Sequence, residues 1–198
     1  MEYNNLKVLF TPTVYKRFKN KNLSRIERTG CWIIQPNVIG KKYIVYIKNF
    51  NFYISNCFGF IKDDKLIGKV KEQLSKCIKI NNNNWLIFPI KIFQEDSIMK
   101  IFIYDLYVYN SIFYTNINTY IRINLLQKLF KSIKYNVYYS SIDENIKILE
   151  SVTNDFKNHF NNINSYKFFD GVILRLKDNP LESLEEKSNN LISNLICK

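Results

Sequence analysis

Residues 32–56, WIIQPNVIGKKYIVYIKNFNFYISN, contain short apolar runs that are rich in β-branched and aromatic side chains. Two clusters of turn-forming residues, Gly40-Lys41-Lys42 and residues 49–51, separate these runs. Such runs between turn signals are typical of short β-strands. The pattern therefore predicts three consecutive strands, the first beginning at Trp32.

The rest of the chain alternates between helix-like and strand-like segments. Apolar residues recur at helical spacing over residues 63–77, 120–133 and 143–160. Short apolar runs predict further strands at residues 7–10, 85–93, 98–109, 136–141 and 169–175. Since the chain has 198 residues and no linker divides it, the sequence predicts one α+β domain.

The C-terminal segment, residues 179–198, carries the signals of a helix start and an apolar stripe. Asn179 can cap the helix, Pro180 suits its first turn, and Glu182 can reach back to the cap. We expect an amphipathic helix here that packs on the domain or on a partner protein. At the other end, residues 1–30 are expected to hold one short strand and a basic loop.

The chain is strongly basic, with 29 Lys and Arg residues against 17 Asp and Glu and a formal net charge of +12. This excess favours a polyanionic partner, because contacts with phosphates release counterions. The densest basic segment, residues 16–28 (KRFKNKNLSRIER), is either a loop that faces phosphates or a solvated loop. An A+T-rich coding sequence would also enrich Lys, Asn and Ile, so the charge favours nucleic acid without establishing it.

Cysteine and histidine usage argues against a metal centre. The four Cys residues show no C-x-x-C spacing, and His159 is the only His, whereas zinc sites need clustered ligands. We expect no metal, no cofactor and free thiols in a reducing compartment. No apolar run approaches the roughly 20 residues of a membrane span, so no membrane partner is expected.

Two short motifs suggest a known fold. The Gly40-Lys41-Lys42 turn comes early, and an Asp-Gly pair opens the apolar strand at residues 169–175. This layout resembles that of the covalent nucleotidyltransferases, the fold of capping enzymes and polynucleotide ligases, and implies antiparallel sheets with flanking helices over residues 31–178. In those enzymes the nucleophile is the Lys of a K-x-D-G motif, and Asn37 stands at that position here. An amide cannot form a phosphoramidate, so we expect a nucleotide site without catalysis, and a protein that is not an enzyme.

Three blocks resemble the snurportins, cap-binding proteins of the same fold. They are Trp32 followed eight positions later by the Gly40 turn, residues 101–110 with Asp105, and residues 169–174. The resemblance implies binding of the trimethylguanosine cap of small nuclear RNA. It also implies an import adaptor in the cytoplasm and nucleus, with capped RNA and a transport receptor as partners. The chain departs from the family because no Trp follows the Asp-Gly strand, and we expect no importin-binding segment before the domain.

The resemblance assigns cap or nucleotide contacts to Trp32, Lys41, Lys42, Asp170 and Gly171. The indole could stack on a methylated guanine or be a core side chain. The two lysines could meet phosphates or be solvated. The carboxylate could accept from a guanine edge or cap its own turn, and the glycine permits close backbone approach.

Asp105 lies within an apolar strand, where an unpaired carboxylate is costly. We expect it to be paired with backbone amides or with a lysine such as Lys100, in a structural role. For the whole chain the alternative to cap binding is a structural subunit of the capping-enzyme and ligase fold. Such a subunit would act through protein–protein contacts made by the C-terminal helix.

Overall fold

The computed structural model describes residues 16–17, 19–56, 59–78, 85–96, 98–130, 134–163, 165–178 and 194–197. These residues form two β-sheets with helices packed against them. We call the four-stranded sheet the small sheet and the ten-stranded sheet the large sheet. The mixed architecture agrees with the α+β prediction.

The small sheet has the strand order β1-β14-β13-β2. Its strands are β1 (Lys16–Arg17), β2 (Trp32–Val38), β13 (Phe169–Leu176) and β14 (Asn194–Cys197). β13 pairs antiparallel with both β2 and β14, and β1 pairs parallel with β14. The centre of this sheet therefore joins an early strand to a late one.

The large sheet has the order β10-β11-β12-β7-β6-β3-β4-β5, and β8 pairs with β6 and β9. Its strands are β3 (Lys41–Lys48), β4 (Asn51–Asn56), β5 (Gly59–Phe60), β6 (Leu86–Glu95), β7 (Ile98–Ile103), β8 (Val108–Tyr109), β9 (Ile112–Phe113), β10 (Lys134–Tyr135), β11 (Tyr139–Ser141) and β12 (Ile146–Leu149). Its pairs are antiparallel except that of β12 with β7.

The helices are α1 (Leu23–Arg28), α2 (Asp64–Ser75), α3 (Thr119–Leu129) and α4 (Phe156–Ile163), with a 3₁₀ turn at Asn20–Asn22. Asp63 caps α2, because its side chain accepts hydrogen bonds from the backbone N–H groups of Lys65 and Leu66, both at 3.1 Å. Within the described ranges, no helix combines the length and the apolar character that crossing a bilayer requires.

Two main hydrophobic cores hold the fold together. The first lies between one face of the large sheet and helices α2 and α3, with Val45, Phe88 and Leu126 fully buried. The second lies under the small sheet against α1 and α4, where Ile34 and Phe156 are fully buried. Each such side chain contributes about 1.5–3 kcal/mol on burial. The second core also includes Phe102 of β7, so it joins the small sheet to the large one.

The three strands predicted within residues 32–56 are confirmed as β2, β3 and β4. Asn49 and Phe50 have φ angles of 51° and 61°, the left-handed conformation of a tight two-residue hairpin. The turn at Gly40 is different, because β2 and β3 belong to different sheets. It carries the chain from the small sheet to the large one.

The helix predicted over residues 143–160 is wrong in its first half. Strand β12 occupies Ile146–Leu149, beside β7, and α4 begins only at Phe156. All four residues of β12 are buried, which is typical of a strand covered on both faces. Asp155, with φ of 57°, lies immediately before the helix.

Both chain termini differ from their predictions where they are described. Residues 194–197 form β14, held by backbone pairing with β13 and β1, instead of the end of a helix. Residues 179–193 and the strand predicted at 7–10 lie outside the described residues. The basic segment is not one loop, because residues 23–28 form α1, in which Leu23 is fully buried.

Candidate functional site

The small sheet meets the large sheet where β2 ends and β3 begins. Gly40 lies at this crossing with φ of 150°, and a Cβ atom placed there would lie 2.2 Å from the carbonyl oxygen of Ile92. Only glycine permits so close an approach of two backbone segments. The crossing therefore brings the end of β2 against the middle of β6.

Lys91 of β6 connects the two sheets at this point. Its Nζ donates hydrogen bonds to Oδ1 of Asn37 at 2.9 Å and to the carbonyl oxygen of Val38 at 3.0 Å. The amide of Asn37 donates in turn to the carbonyl oxygen of Asp170 at 3.0 Å. Asn37 is buried, whereas Lys91 is half-buried. A primary amine thus lies beside the side chain of residue 37.

Lys42 lies directly opposite Lys91 in the antiparallel register of β3 and β6. Directly opposed residues share one face of the sheet, with Cβ atoms about 5 Å apart. Lys41, the neighbour of Lys42, therefore projects to the other face, and it is exposed. We call this meeting place of the end of β2, Gly40 and Lys91 of β6 the junction. The structure brings Lys42 to this junction, whereas Lys41 lies outside it.

Asp170 and Gly171 form an irregularity in β13 opposite the end of β2. The pairing register shifts between Phe169 and Val172, and Gly171 has φ of 77°. This geometry is that of a β-bulge, in which a glycine adopts the left-handed conformation. The bulge turns the carbonyl of Asp170 towards Asn37, so both residues of the Asp-Gly pair belong to the junction.

A buried charge network holds β13, the strand that carries the Asp170-Gly171 bulge. Asp105 accepts hydrogen bonds from Nε and Nη2 of Arg122 at 2.9 and 3.1 Å, and from Nη2 of Arg175. Burial alone would raise the pKa of Asp105, but the two guanidinium groups outweigh it and lower that pKa to about 2. Arg175 of β13 also donates to the carbonyl oxygen of Tyr104 at 3.3 Å, which fixes β13 against the loop after β7.

The structural role expected for Asp105 agrees with this network. Of the two suggested kinds of partner, a backbone amide is present, because the N–H of Leu106 donates to Oδ1 of Asp105 at 2.8 Å, whereas Lys100 as a partner is wrong. Lys100 instead lies over the ring of Phe168, with its Nζ 5.5 Å from the ring centroid. Arg122, on α3, was not among the expected partners. A buried carboxylate gains more from two charge-assisted guanidinium contacts than from one flexible ammonium.

Trp32 lies away from this junction. It pairs with Leu176 at the opposite end of β2 from Val38, about 20 Å away at the usual strand rise. Its side chain is partly buried against the second core, on the opposite face of β2 from Asn37. The structure therefore does not bring Trp32 together with Lys42, Asp170 or Gly171.

An aromatic face continues from Lys42 across the large sheet. Tyr46 shares the face of Lys42 and lies opposite Tyr53 of β4, and its ring centroid is 5.6 Å from that of Phe60. Tyr53 and Phe60 are exposed, at 46% and 40%. On the same face, Nζ of Lys48 lies 4.9 Å from the centroid of the Trp85 ring.

The sequence interpretation missed Lys91 and this aromatic face. A signal for Lys91 was present, since it is the one charged residue in the apolar run WLIFPIKIF. A charge in such a run must find hydrogen-bond partners. Nothing local indicated which partners they are, because Asn37 is 54 residues away along the chain.

Within the described residues, no group of three or more His, Cys, Asp or Glu side chains is placed to hold a metal ion. The polar atoms of the junction are instead amine, amide and backbone carbonyl groups together with one carboxylate. Within this set, the ammonium groups of Lys42 and Lys91 are the groups that can bind phosphate oxygens.

Comparison with solved structures defines the fold. The mycobacterial DNA ligase D complexed with ATP and MES superposes with a TM-score of 0.66 at 11% identity, covering 100% of this chain and 62% of that one. The ligase domain of M. tuberculosis LigD gives 0.66 at 10% identity, covering 99% and 60%. Pmar-Lig gives 0.58 at 12% identity, covering 94% and 47%. No protein-family model and no curated protein matches the sequence.

These likenesses establish a fold, the nucleotidyltransferase fold of DNA ligases, and confirm that part of the prediction. The chain spans about three fifths of the length of the two LigD chains. The comparisons give no support to the snurportin resemblance. The prediction that the protein is not an enzyme is contradicted, because the structures that it resembles include those of ligase D, a DNA ligase and therefore an enzyme.

Proposed function

We propose that the junction between the sheets binds a nucleotide, and that the protein acts in nucleotidyl transfer. The observation that carries this proposal is the pair of cations Lys42 and Lys91, directly opposed on one face. They stand beside the Asp170-Gly171 bulge, and the likeness to an ATP-bound DNA ligase adds support. Phosphate oxygens are the ligands that such a pair attracts.

The surrounding residues suit this role. The Asn37 side chain holds both Lys91 and the backbone of Asp170 in place. Gly40 permits the close crossing of the two sheets, and Gly171 permits the bulge that turns the carbonyl of Asp170 towards Asn37. The Asp105 network keeps β13 fixed, which limits the reorganisation that binding would require.

A fluorescent ATP or GTP analogue tests the proposal by direct titration. We expect saturable binding, weakened about tenfold or more by Lys42→Ala, since one charge-assisted contact is lost. Lys41→Ala is the matched control and should leave the affinity unchanged, because Lys41 is exposed on the other face. Absence of binding at millimolar nucleotide, or equal effects of the two variants, would overturn the proposal.

The second candidate is the RNA cap binding that the snurportin resemblance implies, and the aromatic face favours it. Exposed Tyr53 and Phe60 could stack on a methylated guanine, whose positive charge is attracted to an aromatic ring. Trp32 would then have no direct part in cap recognition. Titration of m7GpppG and trimethylated cap against GTP tests this. We expect Tyr53→Ala to weaken only the methylated ligands, and equal affinity for all three would exclude cap recognition.

A further inference from the structure

Nucleotidyl transfer through a covalent intermediate needs an acceptor atom, and residue 37, an amide, cannot supply one. Resting on the proposed function, we propose that the Nζ atom of Lys91 accepts the nucleotidyl group. The reactive amine then comes from β6 of the large sheet, while Asn37 of the small sheet positions it.

The position of Lys91 carries this inference. Its Nζ lies 2.9 Å from Oδ1 of Asn37, so the amine stands next to the end of that side chain. Lys91 is half-buried, and both partial desolvation and a second nearby cation favour a nucleophilic lysine. Lys42, directly opposite, is that second cation.

The two acceptors at Lys91 also orient the amine. A neutral primary amine has two N–H groups, and the oxygens of Asn37 and Val38 can accept both. Asn37 is thus a positioning residue, which acts through Lys91.

The step balances with a nucleoside triphosphate as co-reactant. Lys91 first loses one proton to water and becomes a neutral amine. Its nitrogen attacks the α-phosphorus, a P–N bond forms, and the bond from the α-phosphorus to the bridging oxygen breaks. Pyrophosphate leaves with that electron pair, and the nitrogen releases a second proton. The product is a phosphoramidate that carries one nucleoside monophosphate.

Labelling with α-³²P-ATP or α-³²P-GTP and Mg²⁺, followed by a denaturing gel, tests this step. We expect an acid-labile, alkali-stable labelled band, and mass spectrometry should place one nucleoside monophosphate on the peptide that contains Lys91. Lys91→Arg keeps the charge and should lose the label. Lys41→Arg is the matched control and should keep it.

Nucleotide binding by the same proteins is measured in parallel. Binding by the unmodified chain without any label would overturn the role of Lys91 and leave nucleotide binding in place. Absence of both would overturn the proposed function itself. Label that persists in Lys91→Arg, or an adduct mapped to another residue, would also overturn the role of Lys91, whatever the stability of the variant.

Discussion

The Nζ atom of Lys91 on β6 lies 2.9 Å from Oδ1 of Asn37 on β2. This hydrogen bond joins the large sheet to the small one at the point where the chain crosses between them. Because Asn37 also donates to the carbonyl oxygen of Asp170, three segments far apart in sequence meet in one group of contacts. Their geometry depends on both partners of the central hydrogen bond.

Replacing Asn37 and Lys91 by alanine, singly and together, tests whether the two residues act as a pair. Asn37→Ala and Lys91→Ala should each lower the free energy of unfolding by about 1–3 kcal/mol, because each leaves a buried or half-buried polar partner without its contact. The combined variant should lose less than the sum, with a coupling energy of about 0.5–3 kcal/mol. Denaturant unfolding of the four proteins in the cycle measures it, and strict additivity would show that the residues are independent.

The crossing at Gly40 should tolerate no side chain. Gly40→Ala would place Cβ 2.2 Å from the carbonyl oxygen of Ile92. Because that oxygen belongs to the backbone, no side-chain rotation can relieve the clash. We expect a loss of more than about 2 kcal/mol, which combines the clash with a φ unfavourable to alanine.

Gly68 offers the control for this substitution. It lies in α2, and a Cβ there would meet no atom within 4 Å. Gly68→Ala should therefore stabilise the protein by about 0.5–1 kcal/mol through helix propensity. Thermal unfolding of both variants decides the matter, and a Gly40→Ala protein as stable as the unmodified chain would show that β2 and β6 can separate.

The contrast between β3 and β12 shows what local patterns can predict. Residues 41–56 are rich in β-branched and aromatic residues and contain their own turn signal, so the sequence predicts this hairpin correctly. Ile146, Leu149 and Val152 are spaced as on a helix, yet residues 146–149 form a strand buried on both faces. Burial on both faces removes the alternation that identifies a strand, and the pairing with β7 is not visible locally.

Part of the candidate site was predictable from the sequence, namely the part that depends on local backbone conformation. The Asp-Gly pair and Gly40 are recognisable because their backbone conformations require particular residues. Lys91 and Arg122 depend on partners 54 and 17 residues away, which no periodicity reveals. The distance of Trp32 from the junction was not predictable, because its spacing from the Gly40 turn says nothing about which face of β2 it occupies.

Removing the buried carboxylate of Asp105 should destabilise the fold strongly. Asp105→Asn leaves Arg122 and Arg175 without their counterion and should lower the free energy of unfolding by about 3–5 kcal/mol at pH 7. Glu72→Gln, which breaks only the exposed pair with Lys76, should change it by less than about 0.5 kcal/mol. Equal effects of the two substitutions in denaturant unfolding would contradict a structural role for the network.

Asp105 also predicts how the protein responds to strong acid. Its pKa in the folded protein is about 2, below the ordinary value of 3.8. The stability that it contributes is therefore present above pH 4 and is lost as the pH falls towards 2, by about 2 kcal/mol. Unfolding measured between pH 4 and pH 2 should show this loss in the unmodified chain and not in Asp105→Asn.

His159 predicts a separate loss of stability in mild acid. Its ring packs against that of Tyr138, with centroids 4.6 Å apart and the planes tilted by 52°, and among the described residues neither ring nitrogen has a hydrogen-bond partner. Burial lowers the pKa of His159 to about 4 from 6.5, although nearby Asp155 opposes this. The unfolded chain therefore binds a proton between pH 6.5 and pH 4 that the folded chain does not.

Stability should accordingly fall through that interval, by about 2 kcal/mol between pH 7.5 and pH 5. His159→Phe keeps a ring against Tyr138 and cannot be protonated, so its stability should change much less over the same range. The difference in the free energy of unfolding between the two proteins, measured in urea at several pH values, isolates the histidine from all other titrating groups. A difference that does not depend on pH would mean that His159 titrates normally and is accessible to water in the folded protein.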